Sequence, residues 1–472
     1  MSRIESKNFW TDPVMSTTPS TRSNLKYCTA DGFFAMPWIL LSLPGSFIAA
    51  SLLNSLFQIG PFWFGVVTAM PAVANAIHIL ILPFFAKFML VRDMAISFGW
   101  LNLGAWFGGA LGIAFLPLDQ PDQAGLFFAI LYGTISITSS LMGIAWTAWV
   151  GDFVPAQLRG RYFGKRNRLT SVSTIAFMLL SIALLQFFDA SRQAYLILIS
   201  VALFGRMISM MILHLIQSPD PSGGAISQAN WARELTDLRQ QKALLRFIVF
   251  GSVAGFWLAG AGAIAALYAF NDLGASPAQF TQFALVATLS GAICLPLWGK
   301  LIDRHGAIPI IMITFFGWRA GDIGWVLITP DSLHWMYLIW LSGGAMATGY
   351  ILASFTVVLK LIPRKSRSAG ISLNLTSTSI AGAAAPLIVG TVLSKVGDYG
   401  ISTTLAYRSG MAACIIGGLL SVLILYRMRE PETDPHLNTI NGAMRTLRQL
   451  VVNQGVSFFS NTVLVRRNKR RR

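Results

Sequence analysis

Charge is scarce in this sequence. Only 12% of its 472 residues are Asp, Glu, Lys or Arg, where a soluble globular chain carries roughly a quarter. A single water-soluble domain is thereby excluded: a chain 54% hydrophobic has more apolar surface than one core hides, and its length exceeds one such core. Cysteine is nearly absent. Cys28, Cys294 and Cys414 lie in different segments, which argues against a disulfide framework. The five histidines are scattered and show no metal spacing. No activated nucleophile, metal cluster or pair of carboxylates appears, so the chain does not read as an enzyme, and no cofactor is expected. The first thirty residues are polar and mixed in charge, without the short apolar core of a cleavable signal peptide.

What is present is a series of apolar blocks of about 20 residues, the length that crosses a bilayer as helix. They are continuously apolar rather than alternating, which points to helices and away from a barrel. The spans read as Gly32 to Leu56, Pro61 to Phe88, Met94 to Leu116, Ala124 to Val150, Leu169 to Phe188 and Ala194 to Ile216. After a polar stretch they continue as Leu244 to Phe270, Pro277 to Trp298, Ile308 to Thr329, Leu333 to Leu361, Ala369 to Leu393 and Thr404 to Tyr426. The reading is an all-α integral membrane protein of twelve transmembrane helices in two six-helix bundles. Its parts are an N-terminal segment 1–31, a bundle 32–216, a linker 217–243, a second bundle 244–427 and a tail 428–472.

The basic residues set the orientation. Of 36 Lys and Arg, all but five fall on the side shared by both termini and the even-numbered loops; Arg192, Lys395 and Arg408 lie opposite, and Arg206 and Arg319 lie within spans. Both termini are expected to be cytoplasmic. The formal charge of +17 then reads as a topology signal and an attraction to the anionic lipids of the bilayer, not as nucleic-acid binding, for which no basic soluble domain exists.

The two halves repeat each other. Leu82-Pro83-Phe84-Phe85-Ala86-Lys87 at the end of the second span matches Leu295-Pro296-Leu297-Trp298-Gly299-Lys300 at the end of the eighth. Phe98-Gly99-Trp100 returns as Phe316-Gly317-Trp318, and Pro155 with Arg159 as Pro363 with Arg367. Corresponding places in six plus six spans indicate parallel repeats.

Two loops concentrate charge and glycine. The eighth reads Gly299-Lys300-Leu301-Ile302-Asp303-Arg304-His305-Gly306, and the fourth contains Asp152, Arg159-Gly160-Arg161 and Gly164. Carboxylate, arginine and glycine at helix ends can form charge-assisted bonds that hold neighbouring helices together; solvated, topology-setting loops are the alternative. With the span pattern, these segments resemble the major facilitator superfamily and bacterial permeases within it, over about Asp31 to Arg427. The resemblance implies a rocker-switch transporter in which two bundles alternate access to a central cavity, residing in a bacterial inner membrane. It implies a cytoplasmic gate of Asp303 and Arg304, with Gly299 and Gly306 allowing close packing and Asp152, Arg159 and Arg161 as partner elements. Leu90 stands where the first half should carry the equivalent of Asp303, so the gate is expected to lean on the second half or on Asp152.

In that fold the cavity is lined mainly by the first, fourth, seventh and tenth spans. Candidates there and on the spans behind them are Asp31, Asn54, Asn75, His78, Trp146, Trp257, Tyr350 and Asn374, since polar groups in hydrocarbon normally face the bundle interior or water. Ser and Thr bond their own helix backbone equally well, and Trp also packs helices. Asp31 and His78 are the titratable groups available for coupling. Among charges within spans, Arg319 and Asp322 are three apart on one helix face and suit a structural ion pair. Arg206 has no carboxylate in its own helix, and either attracts an anionic substrate group or snorkels.

Gly104, Gly108 and Gly112 have the spacing of close helix packing, and Pro37, Pro44 and Pro386 are expected to bend or break their helices. In the tail, Leu437, Ile440, Met444, Leu447, Leu450 and Val451 recur at helical spacing, with Arg445 and Arg448 off the stripe; an amphipathic helix on the membrane surface and a disordered basic tail are the two readings. The expected function is transport of a small-molecule substrate by a monomer, with a proton or sodium ion as coupling partner where coupling occurs. The alternative is a non-transporting membrane protein on the same scaffold, an assembly factor or receptor.

Overall fold

Inside a bilayer no water reaches the backbone, so each apolar block satisfies its own amides as helix. The computed structural model follows that rule. It describes residues 19–85, 88–154, 159–217, 238, 240–362, 367–426, 428, 430 and 439–448, among which there is no β-strand. In chain order the helices are α1 (Pro19–Leu41), α2 (Phe47–Ser51, continued by a π-helical turn Leu52–Leu56), α3 (Pro61–Phe85), α4 (Val91–Phe115), α5 (Pro121–Phe153), α6 (Arg159–Phe187) and α7 (Arg192–His214). Next come α8 (Lys242–Asn271), α9 (Pro277–His305), α10 (Ala307–Gly321), α11 (Ile323–Leu327), α12 (Met336–Leu361), α13 (Arg367–Ser394) and α14 (Thr403–Ser421). A short helix, α15, covers 440–448.

Among the described residues ten helices are long and apolar enough to cross a membrane. The two spans before them are α1 with α2, interrupted at Pro44, and α3, which makes twelve. The outer faces are apolar, as a hydrocarbon solvent demands: Ile293, well inside α9, is 78% exposed, and Phe204 in α7 is 61% exposed. Polar side chains turn inward instead. Asn102 of α4 donates to the carbonyl of Ile135 and to Thr138 and Ser139 on α5, at 2.7–3.0 Å, and the Trp298 indole donates to the carbonyl of Ala345 at 2.7 Å. Such bonds join helices where apolar contact alone gives little preference over lipid.

Several expectations about local structure are corrected. The first helix starts at Pro19, well before Gly32. Pro44 breaks it, but Pro37 and Pro386 lie inside continuous helices, as membrane helices tolerate where neighbouring groups satisfy the freed carbonyl. The expected eighth loop is mostly helix: α9 runs through His305, and Gly306 alone makes the turn, at φ 82°, a conformation glycine adopts without steric penalty. Among the described residues nothing stands within 4 Å of a Cβ built at Gly299, Gly104 or Gly108, while one at Gly112 meets the ring of Phe127.

Packing divides the chain into two compact units. The first comprises Met1–Asn230 with Gly262–Gln282 and Gly382–Thr404; the second comprises Trp231–Ala261, Phe283–Ala381 and Leu405–Arg472. In each, an arginine closes a helix end. Arg192 gives two guanidinium bonds, 2.7 and 2.6 Å, to the carbonyls of Ala114 and Leu116 at the end of α4. Arg408 gives one of 2.8 Å to the carbonyl of Ile328 after α11. Two of the three basic residues that run against the charge bias are thus caps for orphan carbonyls.

Candidate functional site

The first unit contains a cavity of about 420 Å³ between α1, α3, α5, α6 and α7. Among the described residues three charged ones line it: Asp31 on α1, Arg166 on α6 and Arg206 on α7. Asp31 and Arg206 are only 4% and 1% exposed. An uncompensated charge there would be costly, and the two compensate each other. Arg206 Nη1 lies 4.0 Å from Asp31 Oδ1 and donates to Ser209 Oγ at 2.8 Å, while the Ser209 hydroxyl donates to Asp31 Oδ1 at 2.7 Å. The serine sits one turn beyond the arginine on α7, so the helix itself supplies both ends of the relay. The Arg206 guanidinium also covers the ring of Trp38 at 4.3 Å, a cation–π contact strengthened by burial.

Arg166 has a different setting. Its Nε donates to the carbonyl of Cys28 at 3.2 Å, and its guanidinium lies 4.8 Å over the ring of Trp146. Asn75 completes the polar wall and accepts a 3.0 Å bond from the Ser140 hydroxyl.

The second unit holds its own buried pair. Arg319 and Asp322 meet at 2.5 Å at the junction of α10 and α11, as their spacing suggested. Arg319 stacks on Trp318 at 4.7 Å, and Tyr350 packs on Phe315 and Trp318 beside it. Space for the arginine stem comes from Gly418 on α14, where a Cβ would stand 2.8 Å from Arg319 Cδ. The first unit has the mirror assignment: Gly99 is on the third span and Arg206 on the sixth, and a Cβ at Gly99 would stand 3.2 Å from Arg206 Nη2. Arginine and glycine have exchanged helices between the repeats.

A third cluster forms where α9 turns into α10. Glu430, beyond the last span, is buried; its Oε2 accepts the backbone amide of Ala307 at 2.6 Å and that of Ile308 at 3.3 Å. Its Oε1 receives Lys360 at 2.5 Å. Glu430 thus supplies the anion that the first turn of α10 attracts. His305 Nε2 is 2.9 Å from Thr446 Oγ1 on α15. Ala443 is fully buried and Leu447 packs against the core of this unit, while Ile440 and Met444 are exposed. The tail helix therefore docks on protein by a face centred on Ala443, Thr446 and Leu447. Leu437 and the segment from Leu450 onward lie outside the described residues.

Of the sequence candidates, Asp31, Asn75, Trp146 and Arg206 converge on the cavity. Asn54 is buried in the π-helical turn and donates to its own helix, to the carbonyl of Ala50. Trp257, Tyr350 and Asn374 belong to the second unit, where Trp257 fills the space beside Gly417. The side chains of His78, Asp152, Arg159 and Arg161 lie outside the described residues. Asp303 and Arg304 are exposed on the last turn of α9. Sequence reasoning missed Arg166, Ser209, Lys360 and Glu430. Ser209 carried a usable signal, its three-residue spacing from Arg206; Arg166 was concealed in a run of basic residues that topology alone explained.

The arrangement agrees with comparisons to known proteins. Residues 247–467 match the family model of the Major Facilitator Superfamily. Over 145 residues the chain is 30% identical to the sugar transporter ESL1 of Arabidopsis thaliana, an alignment that covers 28% of each protein. The fold is similar to the crystal structure of the nucleoside transporter NupG, with a TM-score of 0.62 and 13% identity over 87% of this chain and 100% of that one. It is similar to a D-xylose-proton symporter at 0.63 and 14%, over 87% and 98%, and to a bacterial homologue of the iron transporter ferroportin at 0.64 and 12%, over the same shares.

Proposed function

We propose that this chain, whose residues 247–467 match the family model of the Major Facilitator Superfamily and whose fold is similar to membrane transporters, carries a small solute by alternating access, and that the cavity of the first unit is a solute site. The observation that carries the reading is the Asp31–Ser209–Arg206 relay. Ionic groups within a membrane bundle are expensive and are retained where they do work on a solute or a coupling ion. Asp31 borders both the cavity and the relay, so protonating it would free Arg206 and Ser209 to rearrange; it is the coupling group if transport is proton-driven. Support also comes from the likeness to transporters, one of them named as a proton symporter.

The remaining assignments follow from the same reading. The termini face the cytoplasm of a bacterial inner membrane, and Asp152, Arg159, Arg161, Asp303 and Arg304 belong to the cytoplasmic gate, with Gly306 as its turn. Counterflow of radiolabelled solutes in proteoliposomes tests the function. Exchange is expected for the wild type. Asp31→Asn is expected to retain counterflow and to lose uptake driven by an imposed proton gradient. If no solute exchanges in any gradient, the non-transporting reading replaces this one.

A further inference from the structure

Charge among the described residues of the first-unit cavity does not balance. Among the described residues its lining holds one carboxylate, Asp31, and two guanidiniums, Arg166 and Arg206. The carboxylate is already engaged by Arg206 and Ser209. Arg166 donates to a backbone carbonyl and lies over the face of Trp146, with the Cys28 thiol beside it and the Asp31 carboxylate acting on it through space; among the described residues no carboxylate stands within ion-pair distance of it. A protonated Asp31 would make the excess of positive charge larger, so its sign does not depend on that proton.

The position of Arg166 is built by its neighbours. Gly32, next to Asp31 on α1, leaves the room its guanidinium occupies: a Cβ there would stand 2.5 Å from Nη2. Trp146 supports the guanidinium from α5, and the Cys28 carbonyl fixes its Nε edge. Neither contact uses the two terminal nitrogens, which are the pair that receives a carboxylate or phosphate in fork geometry. Serine hydroxyls and Asn75 on the opposing wall can hold the polar body of such a molecule.

We propose that the solute is a small organic anion, and that Arg166 is the residue that binds its carboxylate or phosphate group. This rests on the transport reading above and adds the substrate class. The bound anion gives the half-buried guanidinium a direct charged partner, whereas a neutral molecule displaces water from it without supplying one.

The test uses the full-length protein in nanodiscs and proteoliposomes with isosteric probes. One set is benzoate, benzamide and benzamidinium; the other is gluconate and gluconamide. Tryptophan fluorescence reports binding and counterflow reports exchange. The anion of at least one set is expected to bind at least about tenfold more tightly than its neutral partner, the discrimination a charge-assisted bond provides. Arg166→Gln should abolish that preference and Arg166→Lys should keep part of it. Gly32→Ala, which displaces the guanidinium without removing it, should weaken anion binding while the protein remains monodisperse. If neutral or cationic probes bind and exchange as well as anions, or Arg166→Gln keeps the preference, the inference is overturned and the transport reading stands. If a monodisperse protein neither binds nor exchanges any probe of any charge, both fail.

Discussion

Ser209 on α7 donates its hydroxyl proton to Asp31 on α1 across 2.7 Å, joining the first and last spans of the first half through a bond buried on every side. It also accepts from Arg206, so one hydroxyl serves both partners of an ion pair whose charged atoms stand 4.0 Å apart.

Removing that hydroxyl leaves two buried groups short of a partner. Ser209→Ala is expected to lower stability by about 1–3 kcal/mol, the penalty of an unsatisfied buried polar group. Arg206→Met should lower it further, by about 3–5 kcal/mol, because it strands a carboxylate. Adding Asp31→Asn to Arg206→Met should restore most of that loss. Thermal unfolding in detergent, arranged as a double-mutant cycle, reads the coupling directly; additive effects would show that the pair is not the relevant unit.

The exchange of arginine and glycine between repeats makes a steric prediction. Gly418→Val places methyl groups against the Arg319 stem, and Gly99→Val crowds Met210 and Arg206. Each is expected to destabilise by about 1–3 kcal/mol, as overpacking does. Gly108→Val, where a Cβ meets nothing within 4 Å, should leave the melting temperature nearly unchanged.

Glu430 holds the first turn of α10 together with Lys360. Glu430→Gln keeps the shape but removes the charge, and should lower stability by about 1–2 kcal/mol through loss of the helix-terminus and ion-pair interactions. Lys360→Met leaves the buried carboxylate with its two backbone amides alone and should cost at least as much, because a stranded buried charge is more expensive than a neutral amide. Hydrogen exchange at the amides of Ala307 and Ile308 is the local readout, and it should accelerate in Glu430→Gln.

The tail helix presents two faces with separate consequences. Thr446→Val and Leu447→Ser are expected to loosen α15 from His305 and the second-unit core, seen as proteolytic cleavage after residue 439. Ile440→Ser and Met444→Ser, on the exposed face, should leave that protection intact.

Much of the fold was legible because hydrocarbon is an unforgiving solvent. The twelve apolar blocks, the repeats and the Arg319–Asp322 pair follow from length, position and spacing along single helices. The site was less legible because its bonds cross between helices far apart in sequence. Asp31 and Arg206 were each visible as a charge in a span, yet nothing local said they would meet. Arg166 looked like one more basic residue in a loop, since α6 begins earlier than its apolar block. The tail stripe had the right period for a helix, but the docked face proved to include Ala443 and Thr446, residues too small or too polar to stand out. Glu430 gave no signal, as its partners are backbone amides.

The bond from Glu430 to the amide of Ala307 spans 123 residues, which sets an order of events during synthesis. At roughly 5–20 residues per second, the ninth span waits several seconds in the membrane before the anion for its first turn has been translated. The second half therefore completes its assembly only after its last span has left the ribosome. A chain truncated just short of residue 430 would contain every span yet leave that helix end open, and quality-control proteases would meet it there first.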